Sequence, residues 1–186
     1  MSIGFGSRAR VGHIYPSGGI CDHEIQMMAP AGVQFLTTRV PFRRTGLADD
    51  WALLDGIEPA AALLADAAVE LIAFNCTAAS MLAGPEVIRG RVAAATGGIE
   101  CVSTIEGVLH ALRALEARSV ALLDPYPADV EEAEVAYFEE HGFEIVATAG
   151  PACATQDTRH LPEQAPDRRR HRPERPRQPA RWLQRR

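Results

Sequence analysis

Four short polar clusters hold the residue types that could do chemistry: PSGG at Pro16 to Gly19, NCT at Asn75 to Thr77, ST at Ser103 and Thr104, and DPY at Asp124 to Tyr126. Cys76 stands out because it lies between a short apolar run, Leu71 to Phe74, and a stretch of small helix-compatible residues. That order reads as a buried strand delivering a loop into a helix start. Free backbone N–H groups and the positive end of a helix dipole favour thiolate over thiol there, so a lowered pKa and a nucleophile or proton carrier are expected at Cys76. The plainer alternative is a small apolar side chain filling space beside a strand end. Arg43 and Arg44 offer a carboxylate contact, although two arginines in a loop are ordinarily just solvated.

The elements that would position these clusters alternate along the chain. Arg10 to Tyr15 reads as a first strand, then a turn at Pro16 to Gly19 whose glycines permit unusual backbone shapes, then a helix near Asp22 to Met28. Val33 to Val40 is β-branched and reads as the second strand. Trp51 to Ala67 is a helix capped by Asp49 or Asp50, with a kink expected at Pro59. Leu71 to Phe74 is the third strand, and a helical stretch from Thr77 to Ala95 breaks near Gly84 and Pro85 and closes at Gly97 and Gly98. Ile99 to Val102 is a fourth strand, and Ser103 to Glu106 fits a capping box opening an amphipathic helix. Ser119 to Leu123, Ala128 to His141 and Phe143 to Thr148 continue as strand, helix and strand. The alternation predicts an α/β fold, a parallel sheet with helices on both faces. In such sheets ligands bind outside the carboxyl ends of the strands, where all four polar clusters fall.

Composition narrows the class. The 186 residues are 47% hydrophobic, enough for a real core. The sequence has neither an apolar run near membrane-spanning length nor a signal-peptide pattern, so no membrane partner and a cytoplasmic location are expected. Cys21, Cys76, Cys101 and Cys153 lie far apart without a CxxC pair, which argues against a disulfide framework or a zinc site. Cys21-Asp22-His23-Glu24 reads better as a helix start with first-turn acids than as a metal cluster, and no metal is expected. His13 and His110 read as packing residues and Cys101 as a buried strand residue.

The net charge of −5 divides into an acidic body and a basic tail, and all 19 cations are arginine. From Cys153 onward the sequence is rich in Arg and Pro and nearly free of apolar residues, so it is expected to be disordered. An arginine-rich nucleic-acid or membrane arm is one reading. An out-of-frame read through GC-rich DNA is the preferred one, because Trp182 alone among aromatic residues interleaves the arginines and another helix and strand are due there. No nucleic-acid partner is expected.

RVGHIYPSGG, FNCTAAS, CVSTIEGVLHALRAL and RSVALLDPYPADVEEAEVAYFEEHGFEIV together resemble the Asp/Glu racemase superfamily, in the branch of maleate cis-trans isomerases and arylmalonate decarboxylases. The resemblance runs over roughly Arg10 to Ala149. It implies two α/β lobes around a cleft, catalysis without metal or cofactor, and a small-molecule dicarboxylate as partner, with homo-oligomer formation left open. By resemblance Cys76 matches the catalytic cysteine of the first lobe. Thr77, Ala78 and Tyr126 match the carboxylate pocket, Ser17 the first-loop residue, and Ser103 and Thr104 residues lining the cleft. The family's second cysteine has no counterpart, and Gly18 and Gly19 stand where the isomerases tend to have asparagine. The expected organisation is therefore one complete flavodoxin-like lobe (residues 1–116), an incomplete second lobe (117–150) and a tail (151–186), cut short by a frameshift and inactive in that form. A maleate isomerase-like activity leads. Arylmalonate decarboxylation or amino-acid racemisation is the enzymatic rival, and a non-catalytic truncated domain or binding module the rival of another class.

Overall fold

The computed structural model describes residues 6–151; the expectations for the Arg/Pro-rich segment and for Cys153 lie outside the described residues. Ala9–Pro16 (β1), Val33–Val40 (β2), Leu71–Phe74 (β3) and Glu100–Ser103 (β4) form a parallel sheet in the order β2-β1-β3-β4. Ser119–Leu123 (β5) and Glu144–Ala149 (β6) pair, also in parallel, as a separate two-stranded sheet.

Alternation along the strands sets the two faces of the larger sheet. Ile14 lies beside Phe74, and Ile72 beside Cys101, on the face covered by helices Ile57–Asp66 (α3) and Pro85–Thr96 (α5). Ile14, Ile57, Ile72, Phe74 and Ile88 are almost wholly buried there, and each side chain contributes about 1.5–3 kcal/mol. Cys101 is buried, as expected. Asp22–Met28 (α1) is tied to the edge of β2 by Gln26, which accepts from Phe35 N–H at 2.9 Å and donates to the Val33 carbonyl at 3.2 Å. This satisfies edge groups that would otherwise seek another strand. The sheet thus carries helices on both faces, as expected.

The helix expected over Trp51 to Ala67 differs. It starts earlier, as Leu47–Leu53 (α2), passes through a 3-10 turn at Leu54–Gly56 and resumes as α3. Pro59 does not kink it, because the third position of α3 needs no intrahelical donor. The break falls at Gly56, where a Cβ would come within 2.9 Å of Val40. Nor is Asp49 or Asp50 the cap residue: Gly46 is, and its N–H donates to the Asp50 carboxylate at 3.0 Å.

A second apolar cluster joins Met81 of Thr77–Ala83 (α4), Ile105 and Leu109 of Thr104–Ala114 (α6), Phe138 of Ala128–Glu140 (α7), and Phe143. Partly buried Val120, Leu122 and Ile145 from the small sheet pack against it. So α6, placed in the first lobe by the boundary at 116, buries its stripe with the small sheet. Its capping box is present as expected, with Ser103 as cap and Glu106 reaching back to it. His110 lies exposed on α6, not packed, because the buried stripe runs through Ile105 and Leu109.

Candidate functional site

The loops leaving β1, β2 and β3 meet the loop after β5 around an open cavity of about 150 Å³. Tyr15, Pro16, Phe42, Thr45, Asp50, Asn75, Cys76, Thr77, Ala78 and Tyr126 line it. Its volume is below the roughly 300–1,000 Å³ of pockets for drug-sized ligands, which suits a molecule of a few heavy atoms. Cys76 caps α4 from the end of β3, in extended conformation, and is 8% exposed.

The thiol's pKa contradicts the expectation of a lowered value: it is pushed up to about 12. Burial is the main cause, followed by the N–H of Ala79, which pulls the other way. The Asp50 charge raises it further, and the Ala78 N–H adds a smaller lowering effect. A helix N-terminus contributes about 0.3–1 kcal/mol, up to about 2 in favourable geometry, whereas full burial moves a group by up to 3–5 pK units. Desolvation therefore wins.

Asp50 is the residue that the sequence reading missed. It is fully buried on α2, and Cys76 Sγ lies 3.9 Å from its Oδ1. Its own pKa is raised to about 6 by burial, against the Gly46 N–H that favours the carboxylate. Two adjacent acids after β2, where a helix needs only one for its first turn, were the available signal. Tyr126 enters from the small sheet's side; burial and then the Glu134 charge raise its pKa, while a side-chain hydrogen bond with Thr77 acts the other way.

The remaining expected site residues divide. Thr77 and Ala78 line the cavity beside Cys76, and the Ala78 N–H is directed at the sulfur. Ser17 does not line it. Its hydroxyl accepts from Phe42 N–H at 2.9 Å and donates to the Phe42 carbonyl at 3.1 Å, clasping the loops after β1 and β2. Ser103 is occupied in its capping box, and Thr104 donates to Asn75 Oδ1 at 2.9 Å. Both line a neighbouring hollow with His13 and Phe35 instead of the Cys76 cavity. Arg44 pairs with Asp49 at 3.0 Å and Arg43 is exposed, so neither reaches the cavity. Among the described residues no group of three or more His, Cys, Asp or Glu gathers as a metal site, and Asp22 of the CDHE run pairs with Arg39.

His13 is more than packing. Asn75 Nδ2 donates to His13 Nε2 at 3.1 Å, because Asn75 Oδ1 is already taken by Thr104. His13 Nδ1 therefore carries the proton and donates to Thr37 Oγ1 at 3.1 Å. Burial lowers its pKa and keeps the ring neutral, which this chain of hydrogen bonds requires. Its ring stacks on Tyr15 at 4.8 Å. Gly19, expected to serve an unusual backbone shape, has no positive φ; a Cβ there would meet the Tyr15 ring at 2.2 Å. The network holds Asn75, and with it the backbone that aims Cys76.

Comparison with known proteins adds four findings. The sequence model of the arylmalonate decarboxylase family matches residues 13–160. A curated maleate isomerase from Nocardia farcinica (strain IFM 10152) is 40% identical over 89 residues, which is 44% of this chain and 36% of that protein. A solved Nocardia farcinica maleate cis-trans isomerase mutant with a covalently bound succinylcysteine intermediate superposes with a TM-score of 0.71 at 28% identity, covering 79% of this chain and 65% of that one. A liganded arylmalonate decarboxylase mutant, at 21% identity and a TM-score of 0.69 over 79% of this chain and 63% of that one, shares the fold. The chain thus spans about a third of the curated relative and just under two thirds of these structures.

Proposed function

Because the chain belongs to the arylmalonate decarboxylase family, we propose that its cavity is the first-lobe half of a cofactor-independent isomerase site for a small dicarboxylate such as maleate. The observation that carries this reading is the thiol of Cys76 in the floor of a small cavity whose lining includes Thr77 and Tyr126, hydroxyl donors suited to a carboxylate. In the proposed reaction the Cys76 sulfur adds to one alkene carbon, and the π pair moves onto the neighbouring carboxylate as an enediolate. Tyr126 and Thr77 donate to that developing charge. The central bond, now single, rotates; the pair returns, the C–S bond breaks and the trans isomer leaves. The division proposed here is a first unit running to residue 116 and a second from 117, with Tyr126 supplied by the second.

Maleate isomerisation is placed ahead of arylmalonate decarboxylation because a maleate isomerase is 40% identical over 89 residues, against 21% for the arylmalonate decarboxylase structure. Among the described residues no second cysteine lines the cavity, so one face of the reacting carbon is served. Adduct formation should therefore outlast turnover.

The test incubates the chain and its Cys76→Ala variant with maleate, and separately with phenylmalonate. Intact mass and proton NMR then follow adduct and product. A single maleate-mass adduct that requires Cys76 supports the reading, with or without fumarate. Carbon dioxide loss from phenylmalonate without any maleate adduct favours the decarboxylase reading. No change with either compound leaves a non-catalytic binding domain.

A further inference from the structure

Resting on that reading of Cys76, we propose that Asp50 is the proton acceptor for the Cys76 thiol, a positioning residue that acts through the sulfur. The geometry is specific. One carboxylate oxygen, Oδ2, accepts the Gly46 N–H at 3.0 Å, which orients the group, and the other, Oδ1, is left facing Cys76 Sγ at 3.9 Å. A cap for α2 needs only the first of these contacts, and a solvated acid would supply it without the cost of burial. Asp50 is instead 0% exposed, and no arginine pairs with it among the described residues. The titratable groups around it are Asp49 on its own helix, Cys76 at the start of α4, Tyr126 in the loop after β5 and Asp129 on α7. None is a cation, so its charge finds no partner other than the N–H and the thiol.

That arrangement resolves the difficulty posed by a buried thiol. Losing the proton to water would leave two anions, sulfur and carboxylate, side by side in a buried site, and the Asp50 charge is one reason the thiol resists ionisation. Handing the proton to Asp50 leaves one. As the sulfur pair forms the C–S bond, the S–H bond breaks and its proton passes to Oδ1, while the alkene pair moves to the substrate carboxylate. When the C–S bond breaks, its electron pair returns to sulfur, which recovers the proton from Asp50. The Asp–Cys couple starts and ends with one proton and one negative charge.

The test needs no dicarboxylate, so its failure is distinct from failure of the proposed function. The rate of iodoacetamide alkylation at Cys76 is followed by peptide mass spectrometry in the 186-residue chain, from about pH 5 to about pH 9. The rate should rise with ionisation of Asp50 near 6 and then level off. In Asp50→Asn the levelling should vanish, leaving a climb of about tenfold per pH unit toward the thiol's own ionisation. A residue that merely braces α2 would lower stability in that variant without changing the shape of the profile, and that outcome overturns the proposal. Should the variant not fold, the wild-type profile decides alone, because a climb with no inflection near 6 equally overturns it.

Discussion

At the scale of single residues, the candidate site depends on which of two opposed effects wins at Cys76. Strand-end placement over the N–H groups of Ala78 and Ala79 favours thiolate, while 8% exposure and the Asp50 carboxylate oppose it. A rise from 9.0 to about 12 corresponds to roughly 4 kcal/mol against the thiolate, more than a short helix can return. Asn75 next to it holds the loop through His13 and Thr104. Asn75→Ala would leave the His13 Nε2 without its donor, while the Thr104 hydroxyl would keep only its longer bond to the Phe74 carbonyl at 3.3 Å. The expected loss is about 1–3 kcal/mol of stability, read from the urea midpoint, together with slower Cys76 alkylation. An unchanged midpoint would show that water replaces the amide without cost.

Among the elements, α6 supplies Ile105 and Leu109 to the second apolar cluster and depends on its first turn. Ser103 receives the Glu106 carboxylate at both its N–H (3.0 Å) and hydroxyl (2.9 Å), and Glu106 also pairs with Arg89 of α5. The cap thus ties the end of β4 to two helices. Ser103→Ala should cost about 1 kcal/mol in chemical unfolding. Because the hydroxyl lies outside the Cys76 cavity, the same variant should leave maleate adduct formation at its parent rate. A fall in adduct rate with stability unchanged would return Ser103 to the substrate site.

For the molecule as a whole, buried acids govern the pH dependence of stability. Glu134 on α7 is 6% exposed and lies beside Asp124; burial first, then the Asp124 charge, push it up to about 7. Burial raises Asp124 as well, and Asp50 rises to about 6. These folded-state values exceed the unfolded ones, so the folded chain holds the protons more tightly. The stability they add is fully present below the unfolded values of 3.8 for Asp50 and 4.5 for Glu134, and is lost as pH rises through about 6 and about 7 respectively. His13, with its lowered pKa, acts in the opposite sense below 6.5. Glu134→Gln should therefore gain on its parent by about 2–3 kcal/mol between acidic and mildly alkaline conditions. Urea midpoints of the two proteins compared at each pH provide the measure; a difference that does not change with pH would mean that Glu134 titrates alike in the folded and unfolded chain.

Local chemistry made much of this fold legible in the sequence. Val33–Val40 is rich in β-branched residues and Leu71–Phe74 is a continuous apolar run, Ser103 and Glu106 form a cap by spacing alone, and Gly97 ends α5 in a left-handed turn. Alternation of strand and helix then required parallel pairing, which put NCT at the carboxyl end of β3 and DPY at that of β5, in two separate sheets that meet at the cavity. Packing between elements distant in sequence was decided only in three dimensions. Pro59 looked like a break but falls in a first turn, and Ser17 and Ser103 looked like ligand contacts but are consumed by the Phe42 backbone and the Glu106 carboxylate. Asp50 looked like a surface cap and is buried against a thiol 26 residues away. Burial and pairing across such separations depend on how α2 lies on α4, and the free energy of a buried charge depends on those neighbours more than on the residue itself. The residue types at the site could thus be read from the chain, while their ionisation was set by tertiary contact.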